Sequence, residues 1–317
     1  MHDRSHVILG TGPAGRTLAD RLLEHGHDVR MVSRTPKGDL PRRVEHLVGD
    51  LADPGFATDA FKDADVGYFC INAPDYHRWA EQFPPIQAGL LRGARAAGIR
   101  LVVLENLYAY GPPEGRPLRE DLPMAATDTK GRVRAEMTRS LLEGHARGDF
   151  SVAIGRASDF VGPRVTDAAF GAAFLPNLVA GRRGSLIGDL DQPHSYHDIR
   201  DVAAGLATLG LDPVGDGQIW HLPIDRARTT REWVDGFAAE IGRPAKVMSA
   251  GRSMLRVAGL FDRKLRSLTD TLYQFTEPWV VDDGRFRTTF GDRARATPMA
   301  TTIADTVAWY RQASVPR

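Results

Sequence analysis

Three glycines near the start of the chain have the spacing G-x-G-x-x-G, at Gly10, Gly12 and Gly15. They follow an apolar run and precede a helical pattern, which is the context that favours dinucleotide binding over a glycine turn without a ligand. Gly10 would permit a tight turn, Gly12 a close approach of backbone to diphosphate, and Gly15 close packing of helix on strand. We expect the phosphates to lie against the first helical turn, which Pro13 and Ala14 begin, because the helix dipole favours anions there.

Residues that could move a proton follow the fifth predicted strand. They are Asn106 and Tyr108, with Lys130 in the first turn of the next predicted helix. A tyrosine hydroxyl can exchange a proton with a substrate oxygen, and an asparagine amide can stabilise negative charge on it. Tyr108 could instead only line a pocket. A lysine in a first helical turn opposes the helix dipole, which suggests an anionic or hydroxylated partner; a solvated lysine is the alternative.

The residues just after the second, third and fourth predicted strands are the remaining cofactor candidates. Arg34 stands where an NAD-preferring site usually has an acidic residue, and a guanidinium suits the 2′-phosphate of NADP. We therefore expect NADP, with NAD and a merely solvated Arg34 as alternatives. Asp50 and Leu51 follow the third strand, where Asp50 could accept from adenine or cap the next helix. Asn72 and Ala73 would border the middle of the cofactor.

Strand and helix patterns alternate through the first half of the chain, which predicts right-handed crossovers and a parallel sheet. The fold class is therefore α/β, with a Rossmann-type doubly wound sheet whose ligands bind beyond the carboxyl ends of the strands. Pro84-Pro85 should break the helix after the fourth strand into two pieces. The first predicted strand is the apolar run after His6 that ends at Leu9, and the others are Val29–Val32, Val44–Val48, Val66–Ile71, Leu101–Leu104 and Val152–Ile154; the predicted helices are 14–25, 55–62, 78–98 and 130–147.

The second half has shorter and more mixed elements, which predicts a smaller C-terminal α/β substrate-binding lobe. We place the dinucleotide-binding domain at 1–155 and the lobe, partly interleaved with the sheet, at 156–317. Thr229 and Glu232 have the spacing of a capping box. Asp201 is a candidate helix cap.

Composition narrows the class of protein. The 317 residues carry a net charge of +1 with no basic block, so nothing indicates nucleic acid. We find no apolar run of membrane-spanning length and no signal peptide. The single cysteine, Cys70, lies in an apolar run and is expected to be a core thiol. A cytoplasmic protein fits this composition. No metal site is predicted.

The chain resembles the extended branch of the short-chain dehydrogenase/reductase superfamily, the NAD-dependent epimerase/dehydratase family. Besides the glycines, the resemblance is carried by Gly49-Asp50-Leu51, Tyr110-Gly111-Pro112, Lys130 with Ala135-Glu136, Gly155-Arg156, Gly162-Pro163 and Asp198–Ala203. It implies that Lys130 holds the nicotinamide ribose. The family's tyrosine, four residues before the lysine, is replaced by Ala126, which cannot exchange a proton.

The resemblance also bears on what could replace the missing tyrosine. In related sugar-nucleotide dehydratases the acid and base occupy the positions of Leu107 and Tyr108, which implies that Tyr108 faces the substrate. Leu107 has no proton to give, so that dehydration mechanism is disfavoured. Asn106 stands where the family has Ser or Thr. Tyr76 and Asp128 are weaker candidates, and Asp128 could equally cap the Lys130 helix.

These features predict an NADP-dependent oxidoreductase acting on a small organic carbonyl, alcohol or activated alkene. One alternative is an NAD-dependent sugar-nucleotide epimerase or isomerase with a retained cofactor. The other is a non-catalytic NADP-binding regulator. The partner expected is a small-molecule substrate, and the resemblance allows a homodimer.

Overall fold

The computed structural model describes residues 4–251, 254–255 and 267–313. Its strands are β1 (Ser5–Leu9), β2 (Asp28–Ser33), β3 (Val44–Val48), β4 (Val66–Phe69), β5 (Arg100–Glu105), β6 (Ser151–Arg156), β7 (Asp159–Val161), β8 (Gly184–Ile187), β9 (Pro193–His194), β10 (Tyr196–Asp198), β11 (Gln218–His221), β12 (Arg228–Thr229) and β13 (Val247–Ala250). Its helices are α1 (Pro13–Glu24), α2 (Pro54–Ala60), α3 (Trp79–Ala97), α4 (Thr129–Ala146), α5 (Leu175–Val179), α6 (Ile199–Leu211), α7 (Thr230–Ile241), α8 (Tyr273–Thr276), α9 (Gly284–Phe290) and α10 (Met299–Ala313).

Seven strands form one parallel sheet in the order β11-β6-β5-β4-β1-β2-β3. Its central strands are apolar on both faces, because helices cover both sides; all four residues of β4 are buried. Helices α2, α3 and α4 pack on one face, and α1, α6 and α9 on the other. The predicted parallel, Rossmann-type sheet is therefore confirmed, and the strand order places β1 and β4 side by side at its centre.

The chain after residue 156 both returns to the sheet and forms a core of its own. Helix α6 packs against α1, and β11 pairs with β6 at the sheet edge. A separate aromatic core joins α5, α7 and α10, with Phe174, Trp233, Phe237 and Tyr310 buried in it. Within the described residues, no helix is both long and apolar enough to cross a membrane.

Two local predictions are wrong. Helix α3 runs unbroken through Pro84 and Pro85. The prolines remove two backbone donors near the start of the helix, but the packing of Phe83 and Leu90 in the core holds the helix on the sheet. Asp201 does not cap α6. Asp198 caps it by accepting from the Arg200 N–H, whereas Asp201 accepts from Thr297. The capping box of Thr229 and Glu232 is confirmed.

Candidate functional site

The glycine turn lies between β1 and α1, and each glycine meets a different spatial demand. Gly10 has φ +115°, and a Cβ added there would lie 2.7 Å from the Cys70 carbonyl oxygen. A Cβ on Gly15 would lie 2.2 Å from the Gly10 carbonyl oxygen, so only glycine lets α1 pack this close to β1. A Cβ on Gly12 would meet nothing within 4 Å. The exposed side of the turn is therefore open space.

This open space fits a diphosphate. Gly12 is the N-cap of α1 with no side-chain cap, and Pro13 is the first helical residue. The N–H groups of Ala14 and Gly15 lie in the first turn, where a helix supplies no internal acceptor. An anion beside Gly12 would meet these donors and the positive end of the helix dipole.

Two side chains beside the turn join it to the loop after β2. Arg16 of α1 donates to the Thr11 carbonyl (2.8 Å) and to Asp39 (Nη2–Oδ1, 2.7 Å). Arg34 is exposed just beyond the end of β2. The hydroxyl of Ser33 is 2.8 Å from His46 Nε2. Arg34 is thus exposed at the carboxyl end of β2, whereas the Arg16 guanidinium is already paired with a carboxylate.

The predicted residues after β3 and β4 divide into exposed and buried ones. Asp50 is exposed and accepts from the Ala52 N–H; Asp53, not Asp50, caps α2, so the capping alternative for Asp50 is wrong. Leu51 and Ala73 are buried in the core, which leaves mainly their backbones to meet a ligand. Asn72 is exposed, with its Oδ1 3.4 Å from Arg134 Nη2.

Tyr108 lies just beyond the end of β5, in a short 3₁₀ turn. Its ring stacks on Trp79, with centroids 6.0 Å apart. Its oxygen accepts two hydrogen bonds, from Tyr76 Oη at 3.1 Å and from Gln274 Nε2 at 3.1 Å. Burial raises the pKa of Tyr108, and the Asp159 carboxylate raises it further, whereas these two hydrogen bonds act in the opposite direction.

Asn106 is partly exposed beside Tyr108. Its Oδ1 accepts from the Tyr108 N–H at 3.2 Å, which directs the amide orientation. For the Asn106 Nδ2 group no acceptor is recorded within residues 4–251, 254–255 and 267–313. Asn106 and Tyr108 therefore present an N–H donor and a hydroxyl from one turn of chain.

Lys130 is buried in the first turn of α4, which Asp128 caps by accepting from the Gly131 N–H. The Lys130 ammonium lies 4.4 Å from the centre of the Tyr76 ring and 3.5 Å from Asp270 Oδ2. Burial lowers the pKa of Lys130, and Asp270 opposes this. In this arrangement the second lobe, rather than solvent, surrounds the ammonium, so the solvated-lysine alternative is wrong.

A buried ionic frame supports these residues from below. Glu105 and Arg156 end β5 and β6 and form a fully buried ion pair of 3.1 Å, to which Thr138 of α4 donates. Arg134, one turn after Lys130, lies over the rings of Trp79 (4.8 Å) and Phe83 (4.2 Å). The ion pair and its hydrogen bond from Thr138 hold the carboxyl ends of β5 and β6 against the middle of α4.

Sequence reasoning missed the contribution of the second lobe. Gln274 and Thr271 contact Tyr108 and Tyr76, although Tyr108 and Gln274 are 166 residues apart in the chain. Nothing in their sequence context distinguishes them from other polar residues. His77 is exposed, and Cys70 is a partly buried thiol whose pKa burial raises to about 12.

Comparison with known proteins places this chain in a family. The model of the NAD dependent epimerase/dehydratase family matches residues 7–220. A UDP-glucose 4-epimerase from Corynebacterium glutamicum is 28% identical over 143 residues, which are 40% of this chain and 42% of that protein. The match therefore spans less than half of the relative's length.

Solved structures share the fold over nearly the whole chain. UDP-glucose 4-epimerase of Thermus thermophilus, in complex with NAD, has a TM-score of 0.79 and 19% identity, and the match covers 98% of this chain and 99% of that one. The dTDP-glucose 4,6-dehydratase of Bacillus anthracis, also with NAD, has a TM-score of 0.80 and 13% identity, with coverage of 98% and 97%. The family model matches more than half of this chain. The chain therefore belongs to the NAD-dependent epimerase/dehydratase family, enzymes of the short-chain dehydrogenase/reductase superfamily.

Proposed function

We propose that this protein is an NAD-dependent epimerase of a nucleotide-linked sugar in which Tyr108 takes the role of the family's missing tyrosine. The observation that carries the proposal is the Tyr108 hydroxyl. Tyr108 follows the carboxyl end of β5, as the glycine turn follows that of β1, and its oxygen accepts two hydrogen bonds. The substrate class is supported by the family match and by the similarity to UDP-glucose 4-epimerase.

Residues near the carboxyl ends of the parallel strands would hold the cofactor. The first turn of α1 would hold the diphosphate beside Gly12, where the space is open. Asp50 and Asn72 have solvent-accessible polar side chains at the ends of the next strands. Lys130 would hold ribose hydroxyls once its ammonium turns from the second lobe. A bound NAD would supply reversible hydride transfer at the substrate carbon.

Tyr108 would move the proton that accompanies this chemistry. As a phenolate, Tyr108 would take the proton of the reacting hydroxyl, and as a phenol it would return that proton when the carbonyl is reduced again, so the enzyme ends each cycle unchanged. Asn106 would donate its amide to the same substrate oxygen and stabilise its negative charge.

The decisive experiment compares cofactor and turnover in the same preparation. Purified protein is denatured, the released nucleotide is identified by chromatography, and the intact protein is incubated with UDP-glucose or UDP-galactose. We expect NAD to be released and the two sugars to interconvert, as followed by proton NMR. Tyr108→Phe should retain NAD and lose interconversion. Absence of affinity for any pyridine nucleotide would refute the proposal.

Arg34 favours a second candidate, an NADP-dependent oxidoreductase of a small carbonyl, alcohol or activated alkene. The side chain is exposed just after β2, and no acidic residue stands at that strand end. This enzyme would oxidise added NADPH stoichiometrically with substrate, whereas an epimerase would recycle retained NAD. Single-turnover mixing with NADPH and a panel of carbonyls and alkenes distinguishes the two.

A further inference from the structure

A directed line of hydrogen bonds ends on the oxygen of Tyr108. Tyr76 Oη donates to Tyr108 Oη at 3.1 Å, and the second contact of Tyr76 Oη is Thr271 Oγ1 at 2.8 Å. A phenol has one proton to donate. Since Tyr76 gives its proton to Tyr108, Thr271 must be the donor to Tyr76. The line therefore runs from Thr271 through Tyr76 to Tyr108.

Gln274 supplies a second donor to the same oxygen, through Nε2 at 3.1 Å. The backbone of Gln274 is held by His194. His194 Nδ1 lies 2.9 Å from the main-chain carbonyl oxygen of Gln274, and His194 Nε2 lies 2.9 Å from Asp159 Oδ2. With two donors on its oxygen, Tyr108 must direct its own proton elsewhere. No acceptor for that proton is recorded within the described ranges 4–251, 254–255 and 267–313.

We propose that Tyr76 is a positioning residue which, together with Gln274, makes the Tyr108 oxygen an acceptor and so leaves the Tyr108 proton for a substrate oxygen. The inference rests on the proposed function, because it gives Tyr108 a proton to transfer. It goes beyond it by assigning the stabilisation of the phenolate to a tyrosine after β4 and to two residues of the second lobe. These hydrogen bonds would thereby stabilise the Tyr108 phenolate, as a lysine beside a tyrosine does.

The charges around the pair favour the same role. The Lys130 ammonium lies over the Tyr76 ring at 4.4 Å, and the Arg134 cation acts on Tyr108 through space. The other titratable groups that face the pair or its two cations are three carboxylates, the buried ion pair and a buried phenol: Asp159, Asp270, Asp128, Glu105, Arg156 and Tyr273. Asp159 raises the pKa of both tyrosines, and at Tyr108 the two hydrogen bonds and the Arg134 cation counteract burial and this carboxylate.

The test reads the ionisation of Tyr108 directly. The full-length protein is prepared with 3-fluorotyrosine at position 108, and its fluorine NMR shift is followed against pH without substrate. Tyr76→Phe removes one donor and keeps the ring under Lys130, so the apparent pKa should rise by about one unit, the value of one hydrogen bond to a charged oxygen. Thr271→Val should raise it less, and Thr271→Ser should restore it.

The matched control is Tyr273→Phe. Its buried hydroxyl has no recorded hydrogen-bond partner within the described residues, so the titration of position 108 should not move. In the unlabelled enzyme, Tyr76→Phe should lower kcat about tenfold, shift its pH profile by the same unit and leave KM nearly unchanged. Thermal melts would verify that each variant is folded.

The outcomes separate the two proposals. An unchanged fluorine titration in Tyr76→Phe, or an equal shift in Tyr273→Phe, overturns the hydrogen-bond line. A pKa shift that appears in Tyr76→Phe and Thr271→Val but not in Tyr273→Phe supports the hydrogen-bond line. If the wild-type protein at the same time binds no pyridine nucleotide, the proposed function is overturned while the line stands.

Discussion

The two ends of the candidate site, the glycine turn and the surroundings of Tyr108, present different chemical groups. At the end formed by β1 and α1, the groups that would meet a ligand are backbone N–H groups and the absence of side chains at Gly10, Gly12 and Gly15. At the end formed by β5 and α4, they are hydroxyls, an amide and an ammonium, and these are surrounded by Thr271 and Gln274 of the second lobe.

The difference shows how each end can change. The glycine end depends on close packing of two consecutive elements, so side chains added at Gly10 or Gly15 would disturb the fold itself. The tyrosine end depends on side-chain hydrogen bonds between distant segments, which can be removed singly while the sheet stays intact. Replacement of the family's tyrosine by Ala126 is a change of the second kind.

The largest effect should come from removing the hydroxyl of Tyr108. Tyr108→Phe keeps the stacking on Trp79 but has no proton to transfer, so the rate of UDP-sugar interconversion should fall about a thousandfold. NAD affinity, measured by calorimetry, should not change. Near-normal turnover in this variant would make Tyr108 a packing residue and leave the tyrosine end without its proposed acid and base.

The glycine end should respond through stability. Gly15→Val places side-chain atoms where even a Cβ lies 2.2 Å from backbone, and we expect a loss of about 3 kcal/mol in the free energy of unfolding. Denaturant titration measures it. The matched variant Gly12→Ala meets no atom within 4 Å, so it should cost under about 1 kcal/mol and mainly weaken dinucleotide binding. Equal stability loss in both variants would contradict the different demands assigned to these glycines.

Lys130→Met tests the proposed contact between the Lys130 ammonium and the ribose hydroxyls of NAD. Methionine keeps much of the buried stem but loses the ammonium, so NAD affinity should fall about 30-fold, the worth of a charged hydrogen bond. Isothermal titration measures it, with Lys130→Arg as a charge-keeping comparison. If NAD binds Lys130→Met as it binds the wild type, the ammonium serves only its contacts with Asp270 and Tyr76.

The smallest effect is expected at Arg34. Arg34→Asp should lower NADP affinity about tenfold relative to NAD, because a carboxylate repels a 2′-phosphate and accepts from ribose hydroxyls. Competitive titration with both cofactors measures the ratio. An unchanged ratio would assign cofactor choice to other residues of the adenosine end, such as Arg16 beside Asp39.

Prediction from sequence succeeded at several places where neighbours in the chain act together. The glycine spacing, the Asp128 cap and the capping box at Thr229 each involve a few consecutive residues, and their geometry follows from local backbone rules. It failed where packing overrides local preference: α3 continues through Pro84 and Pro85 because its apolar face is held on the sheet. The partners of Lys130 and Tyr108 were out of its reach, because a hydrogen bond between distant segments leaves no periodic trace.

The amino-acid sequence alone determined the parallel α/β architecture, the turn at Gly10–Gly15 and the set of polar residues after each strand, because alternating apolar patterns and glycine spacing encode local structure and which face is buried. Only the tertiary structure decided that Tyr76 and Gln274 donate to Tyr108, and that the second lobe surrounds Lys130. Those contacts depend on how two layers of the molecule close on each other, and side-chain hydrogen bonds act over only about 3 Å.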